Sequence, residues 1–133
     1  MTADLSGVWH LNLEKSKIRG SLPRRMTVRI QHHEPNIVQH VESMNADGSE
    51  NSATFRFTVG IEAINSIRGF PLRTIARWEG QELLVESWMK TANRELHFKD
   101  YWSISADGRT LTMSHRDDDL DGQISVLEKH MDS

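Results

Sequence analysis

Apolar residues recur at every second position through much of this chain, and the runs end at turn-forming pairs. Met26, Val28 and Ile30 alternate with Arg25, Thr27 and Arg29, and Phe55, Phe57 and Val59 alternate with Thr54, Arg56 and Thr58. Successive side chains of a strand point to opposite faces, so a period of two marks strands with one face buried. Four acidic-glycine pairs, Asp47-Gly48, Glu79-Gly80, Asp107-Gly108 and Asp121-Gly122, separate β-branched and aromatic stretches and read as hairpin turns. His33-Glu34-Pro35-Asn36 reads as a further turn, because proline fixes φ and its predecessor avoids the helical region. The pattern predicts nine strands, at about 7–13, 25–32, 37–44, 52–59, 72–79, 82–89, 95–104, 109–116 and 123–131. No sustained i, i+3, i+4, i+7 stripe occurs, and helix is expected only as one turn within 13–22 or 60–67.

At 133 residues, the expectation is a single domain spanning 1–133. Many short strands joined by hairpins form either a sandwich or a barrel, and closure removes sheet edges. Charged residues are 26% of the chain and hydrophobic ones 37%, and no apolar run approaches the ~20 residues of a spanning helix, so no membrane span is expected. The net charge is −3 and Arg24, Arg25, Arg68, Arg73, Arg77 and Arg94 are scattered, which argues against a nucleic-acid partner. Without cysteine there is no disulfide, thiolate zinc site or thiol nucleophile. Met1-Thr2-Ala3-Asp4 has no leader character. The expected compartment is cytoplasmic as the sequence stands, or outside the cytoplasm if a leader has been removed. A monomer or homodimer is expected.

The segment Leu5-Ser6-Gly7-Val8-Trp9-His10-Leu11-Asn12-Leu13-Glu14-Lys15-Ser16-Lys17 resembles the first strand and following loop of small bacterial lipocalin-like proteins. Trp78-Glu79-Gly80-Gln81-Glu82-Leu83-Leu84-Val85 is similar to their central hairpin, and the stretch from Trp102 to Thr112 to their penultimate one. The resemblance implies an all-β fold: a single antiparallel up-and-down barrel of about 8–10 strands, lipocalin-like, with little helix. It also implies that Gly7 and Trp9 close one barrel end, with a basic residue of a late strand over the indole, here Lys129 first and Arg116 second. A fatty-acid-binding protein is matched less well. That family places a helical hairpin between its first two strands, where about eleven residues (14–24) are available here, and its Arg-x-Tyr near the C-terminus is missing.

Counting by twos along Leu96, Phe98, Asp100, Trp102 and Ile104 places Asp100 on the apolar face, and Leu111, Met113 and His115 carry His115 inward likewise. A lone buried carboxylate is costly, so Asp100 faces a wet cavity, pairs with a cation or marks a bulge. Asp100 and His115 on adjacent strands are the one candidate catalytic pair. Met26, Met44, Met89 and Met113 and the tryptophans offer an adaptable apolar lining. The ligand-binding candidates are Trp78, Trp88, Asp100, Trp102, Met113 and His115. There is no Gly-x-Ser-x-Gly elbow, phosphate loop or dinucleotide fingerprint, and no cofactor is expected. The leading expectation is non-enzymatic binding of a small, largely apolar molecule. The alternatives are an isomerase or hydrolase using the Asp/His pair, or a filled barrel acting as an interaction or dimerisation domain.

Asp117-Asp118-Asp119-Leu120-Asp121-Gly122-Gln123-Ile124-Ser125-Val126-Leu127-Glu128 matches an EF-hand loop, with acidic residues at the first, third and fifth places, glycine at the sixth and glutamate at the twelfth. An EF-hand loop lies between helices, whereas strand alternation precedes this one. A solvated acidic hairpin turn is therefore expected, with calcium on Asp117, Asp119, Asp121 and Glu128 as the minor alternative. Seven histidines are present without metal-binding spacing, and no metal site is expected. Calcium at about millimolar concentration should leave the melting temperature unchanged, whereas a rise would establish binding to the folded state.

Overall fold

The period-two segments are strands in the computed structural model, which describes residues 4–18, 22–67, 69–117 and 122–130. Ten strands follow one another: β1 (Gly7–Leu11), β2 (Arg25–His33), β3 (Asn36–Met44), β4 (Glu50–Thr58), β5 (Ala63–Ile67), β6 (Phe70–Glu79), β7 (Glu82–Lys90), β8 (Glu95–Ile104), β9 (Thr110–Asp117) and β10 (Gln123–Lys129). They form one antiparallel sheet in the order β4-β3-β2-β1-β10-β9-β8-β7-β6-β5. The first and last strands pair, so the sheet curls into a nearly closed up-and-down barrel. Its two ends, β4 and β5, meet without a continuous ladder. Instead the Asn65 side chain stands in for a peptide group: Arg56 N donates to Asn65 Oδ1 (2.7 Å), and Asn65 Nδ2 donates to the Arg56 carbonyl (3.0 Å). An isolated Thr58–Ile61 bridge and the Gly60 N–H to Ala76 carbonyl bond (2.8 Å) complete the seam.

Two sequence expectations are corrected. The segment 60–67, considered for a helical turn, contains the tenth strand, β5. Its phase is hidden because polar Asn65 sits between Ala63 and Ile67 on the inward face, while Ile64 is exposed. Residues 12–18 are likewise not helical but lie along β10. Asn12 N donates to the Val126 carbonyl (2.8 Å), and Lys17 and Ile124 exchange two backbone bonds. Among the described residues there is no α-helix.

Two of the acidic-glycine turns, those of Asp47 and Asp107, are held through the charged carboxylate. Asp47 accepts from the hydroxyl and backbone N–H of Ser49, and Asp107 from the Ser105 hydroxyl and the Arg109 N–H. These bonds hold both carboxyls below their ordinary range, the hydroxyl bond contributing most in each case. Their support for the turns is therefore present above the ordinary aspartate range and fades as pH falls through the lowered values.

One barrel end is a packed floor. Leu5 and Trp9 are fully buried among Val28, Ile30, Leu83, Leu111 and Leu127. The indole N–H of Trp9 donates to the Leu5 carbonyl (3.1 Å), and Lys129, its partner in register on β10, holds Nζ 5.7 Å from the ring centre. Gly7 has φ of +146°, and a Cβ there would come within 2.9 Å of Lys129 Cε. Glycine thus lets the lysine stem cross toward the indole. Arg116 pairs instead with Lys99 on the outward face of β8–β9, so it is not the covering cation.

His32 ties the entering chain to this floor. Leu5 N–H donates to His32 Nδ1 (3.1 Å), so the proton sits on Nε2 and is donated to Glu34 Oε1 (2.7 Å). Trp78 stacks on His32 at 5.8 Å and donates its indole N–H to Glu34 (3.1 Å). Truncating Trp9 to Ala should cost about 3–5 kcal/mol of unfolding free energy in urea, whereas Lys129→Ala should cost only about 0.5–1 kcal/mol. Equal losses would show that the cation rather than the buried ring holds the floor.

Candidate functional site

Alternation along β8 brings Phe98, Asp100 and Trp102 to the inner face, and β9 brings Met113 and His115 beside them. Strand β7 adds Val85, Ser87 and Met89, and β6 adds Leu72. Across the barrel, Gln39 of β3 and Phe55 and Phe57 of β4 face the same space, with Ile67 of β5 at the seam. These residues line a cavity of about 390 Å³. The surface is mostly aromatic and aliphatic, with Phe57 edge-on to Trp102 at 5.9 Å. Polar groups are few and discrete: Gln39, Ser87, Asp100 and His115.

Asp100 and His115 are direct partners in the β8–β9 register, with His115 Nδ1 2.7 Å from Asp100 Oδ1. Both side chains are about two-thirds covered, at 28% and 31% exposure. The pairing offsets part of the cost of holding a carboxylate among apolar neighbours, and Phe98 packs over the imidazole at 5.5 Å. The arrangement can accept or donate a proton at a bound molecule, or fix a polar group by hydrogen bonding. A larger concavity of about 560 Å³ lies on β1–β4. Most of its lining, including Thr27, His40, Glu42 and Glu50, alternates with the core-facing residues of those strands, which places it on the exterior.

Four of the six ligand-binding candidates, Asp100, Trp102, Met113 and His115, share the cavity wall. Trp78 belongs to the floor instead, against His32 and Glu34. Trp88 is on the outside: Arg73 lies 4.9 Å over one face and His97 stacks at 5.1 Å. Among the methionines, Met89 and Met113 line the cavity, Met26 packs on the core, and Met44 faces outward beside Arg25. Gln39, Phe55, Phe57 and Ser87 were not among the site candidates, although the alternation in β4 carried the signal for both phenylalanines. The acidic segment joins β9 to β10, so strands flank it rather than helices. Residues 118–121 lie outside the described residues, and Glu128 accepts from Lys15 at 3.3 Å on the exterior. Among the described residues no cluster of three or more His, Asp or Glu is arranged to hold a metal ion.

No family model matches the chain, and no curated protein matches it. Solved structures do. A mutant of the fluorescent protein UnaG superposes with a TM-score of 0.68 at 12% identity, covering 96% of this chain and 97% of that one. Secretory abundant heat soluble protein 4 from Ramazzottius varieornatus gives 0.66 at 14% identity, over 95% and 94%. A Schistosoma mansoni fatty-acid-binding protein in complex with arachidonic acid gives 0.62 at 11% identity, over 95% and 96%. The fold is therefore a calycin-like barrel. The absence of a helical hairpin among the described residues, and of Arg-x-Tyr in the sequence, does not set the chain apart from fatty-acid-binding proteins at the level of fold.

A double-mutant cycle on Asp100→Asn and His115→Gln should show a coupling of about 0.5–3 kcal/mol in unfolding free energy. Additive effects would show that the two side chains do not interact in solution.

Proposed function

We propose that this protein binds a small, largely apolar molecule inside the barrel without transforming it. The observation that carries the reading is the cavity of about 390 Å³, walled by Phe55, Phe57, Leu72, Val85, Phe98 and Trp102 with a few polar groups. That combination of concave apolar surface and sparse polar contacts suits a ligand held mainly by burial. Neighbours of the same fold add support, since one is a fatty-acid-binding protein carrying arachidonic acid and another is a zebrafish ileal bile acid-binding protein with cholic acid. A filled barrel working through its surface is disfavoured by the same cavity. The sealed floor directs entry to the opposite end, where the turns after β3, β5 and β7 surround the strand ends.

Proton-transfer chemistry is the second reading, favoured by the 2.7 Å contact between His115 and Asp100 on the cavity wall. Here Asp100 would orient the imidazole, and His115 would exchange a proton with the bound molecule.

Native mass spectrometry of protein purified from its own cells should show a co-purifying small molecule, released in organic solvent. Recovery of that molecule chemically unchanged after prolonged incubation supports binding alone, whereas its conversion, abolished in His115→Gln, supports chemistry. Repeated preparations without a bound molecule would contradict a tight-binding carrier. Filling the cavity with Val85→Phe should weaken binding by at least about tenfold, because packed interiors adjust little to added volume.

A further inference from the structure

We infer that the polar end of the ligand donates hydrogen bonds and carries no negative charge, so that the cavity takes an apolar amine or alcohol in preference to a fatty carboxylate. This rests on the binding reading above and adds to it the chemistry of the head group. The determining group is Asp100. Its Oδ1 faces His115 Nδ1 at 2.7 Å, while its Oδ2 has no hydrogen-bond partner among the described residues. A carboxylate has about four acceptor sites, and one with acceptor capacity open toward a mostly apolar cavity favours a ligand that brings a donor to it.

Gln39 presents a second polar group to the cavity. It is 8% exposed and faces the cavity, and its amide makes no side-chain hydrogen bond among the described residues. Ser87 holds only a 3.5 Å contact with Thr74, at the outer limit of a hydrogen bond. An amine or hydroxyl can donate to Asp100 Oδ2 and also engage the amide. A ligand carboxylate can do neither at Asp100, and it would place a second negative charge in the same low-dielectric space. None of the described residues lining the cavity is lysine or arginine. The imidazole is already directed at Asp100 through Nδ1.

The test uses three probes with one common tail: 1-octylamine, 1-octanol and octanoate, titrated calorimetrically into the whole protein at about pH 8, where the amine is cationic and the acid ionised. Because the tails are alike, differences in affinity report the head group. The amine and the alcohol should each bind at least about tenfold more tightly than octanoate. Asp100→Asn should close the gap between amine and carboxylate to within about threefold and leave the alcohol nearly unchanged. Should Asp100→Asn fail to fold, Asp100→Ser serves as the second variant, and the ranking in the unaltered protein stands without either. Octanoate binding as tightly as the others, or a ranking that survives in a folded Asp100 variant, overturns this inference while leaving apolar binding intact. Failure of all three to bind overturns both.

Discussion

The buried indole of Trp9 organises the closed end of the barrel. A ten-stranded sheet that curls on itself has two open ends, and this chain fills one with a fully enclosed indole. The ring is fixed at its nitrogen by the Leu5 carbonyl and at its face by Lys129, whose stem crosses at the glycine two residues earlier. Because Trp9 lies on β1, between β2 and β10, the same side chain packs against the strands that join the beginning and end of the chain. His32, Glu34 and Trp78 extend the seal by tying the Leu5 backbone to β2 and β6. The consequence is directional. Packing concentrates at the floor, and the unfilled volume is left further along the barrel, among Phe98, Asp100, Met113 and His115.

The second place where closure could fail is the gap between β4 and β5. Backbone pairing there is limited to an isolated bridge, and the Asn65 amide makes the two bonds a neighbouring strand would otherwise make to Arg56. A side chain can satisfy a peptide group without committing the whole strand to a ladder. The exposed apolar side chains Ile61, Ile64 and Phe70 surround this seam, while Ile67 and Phe55 face inward and reach the cavity. The stretch of wall with the least backbone pairing thus borders the cavity.

Much of this architecture was legible in the chain because strand alternation and turn chemistry are local. Met26, Val28 and Ile30, or Phe55 and Phe57, declare their face within a few residues, and the acidic-glycine pairs mark reversals. Asp100 and His115 could be placed on inner faces by counting, but their contact required the register between β8 and β9, which hairpin length sets and single-strand patterns do not. Trp88 misled for a related reason. The run Leu83-Leu84-Val85 obscures the phase of β7, and the inward positions then pass through Ser87, leaving the larger, more apolar residue outside against Arg73 and His97. Strand β5 was hidden in the same way by Asn65, an inward residue chosen for hydrogen bonding at the seam rather than for apolar burial. These misreadings share a cause: a polar side chain on the inner face serves a need defined only by a distant strand.

Under the proposed function the floor is sealed and the interior beyond it accepts an apolar molecule. The methionines report on this directly, since Met89 and Met113 line the cavity whereas Met44 faces outward beside Arg25. Methyl-labelled methionine can be followed by nuclear magnetic resonance while 1-octanol is added to the whole protein. Saturable shifts of the Met89 and Met113 methyls with Met44 unmoved are the expected result; shifts confined to Met44, or none at any of the three, would contradict binding inside the barrel.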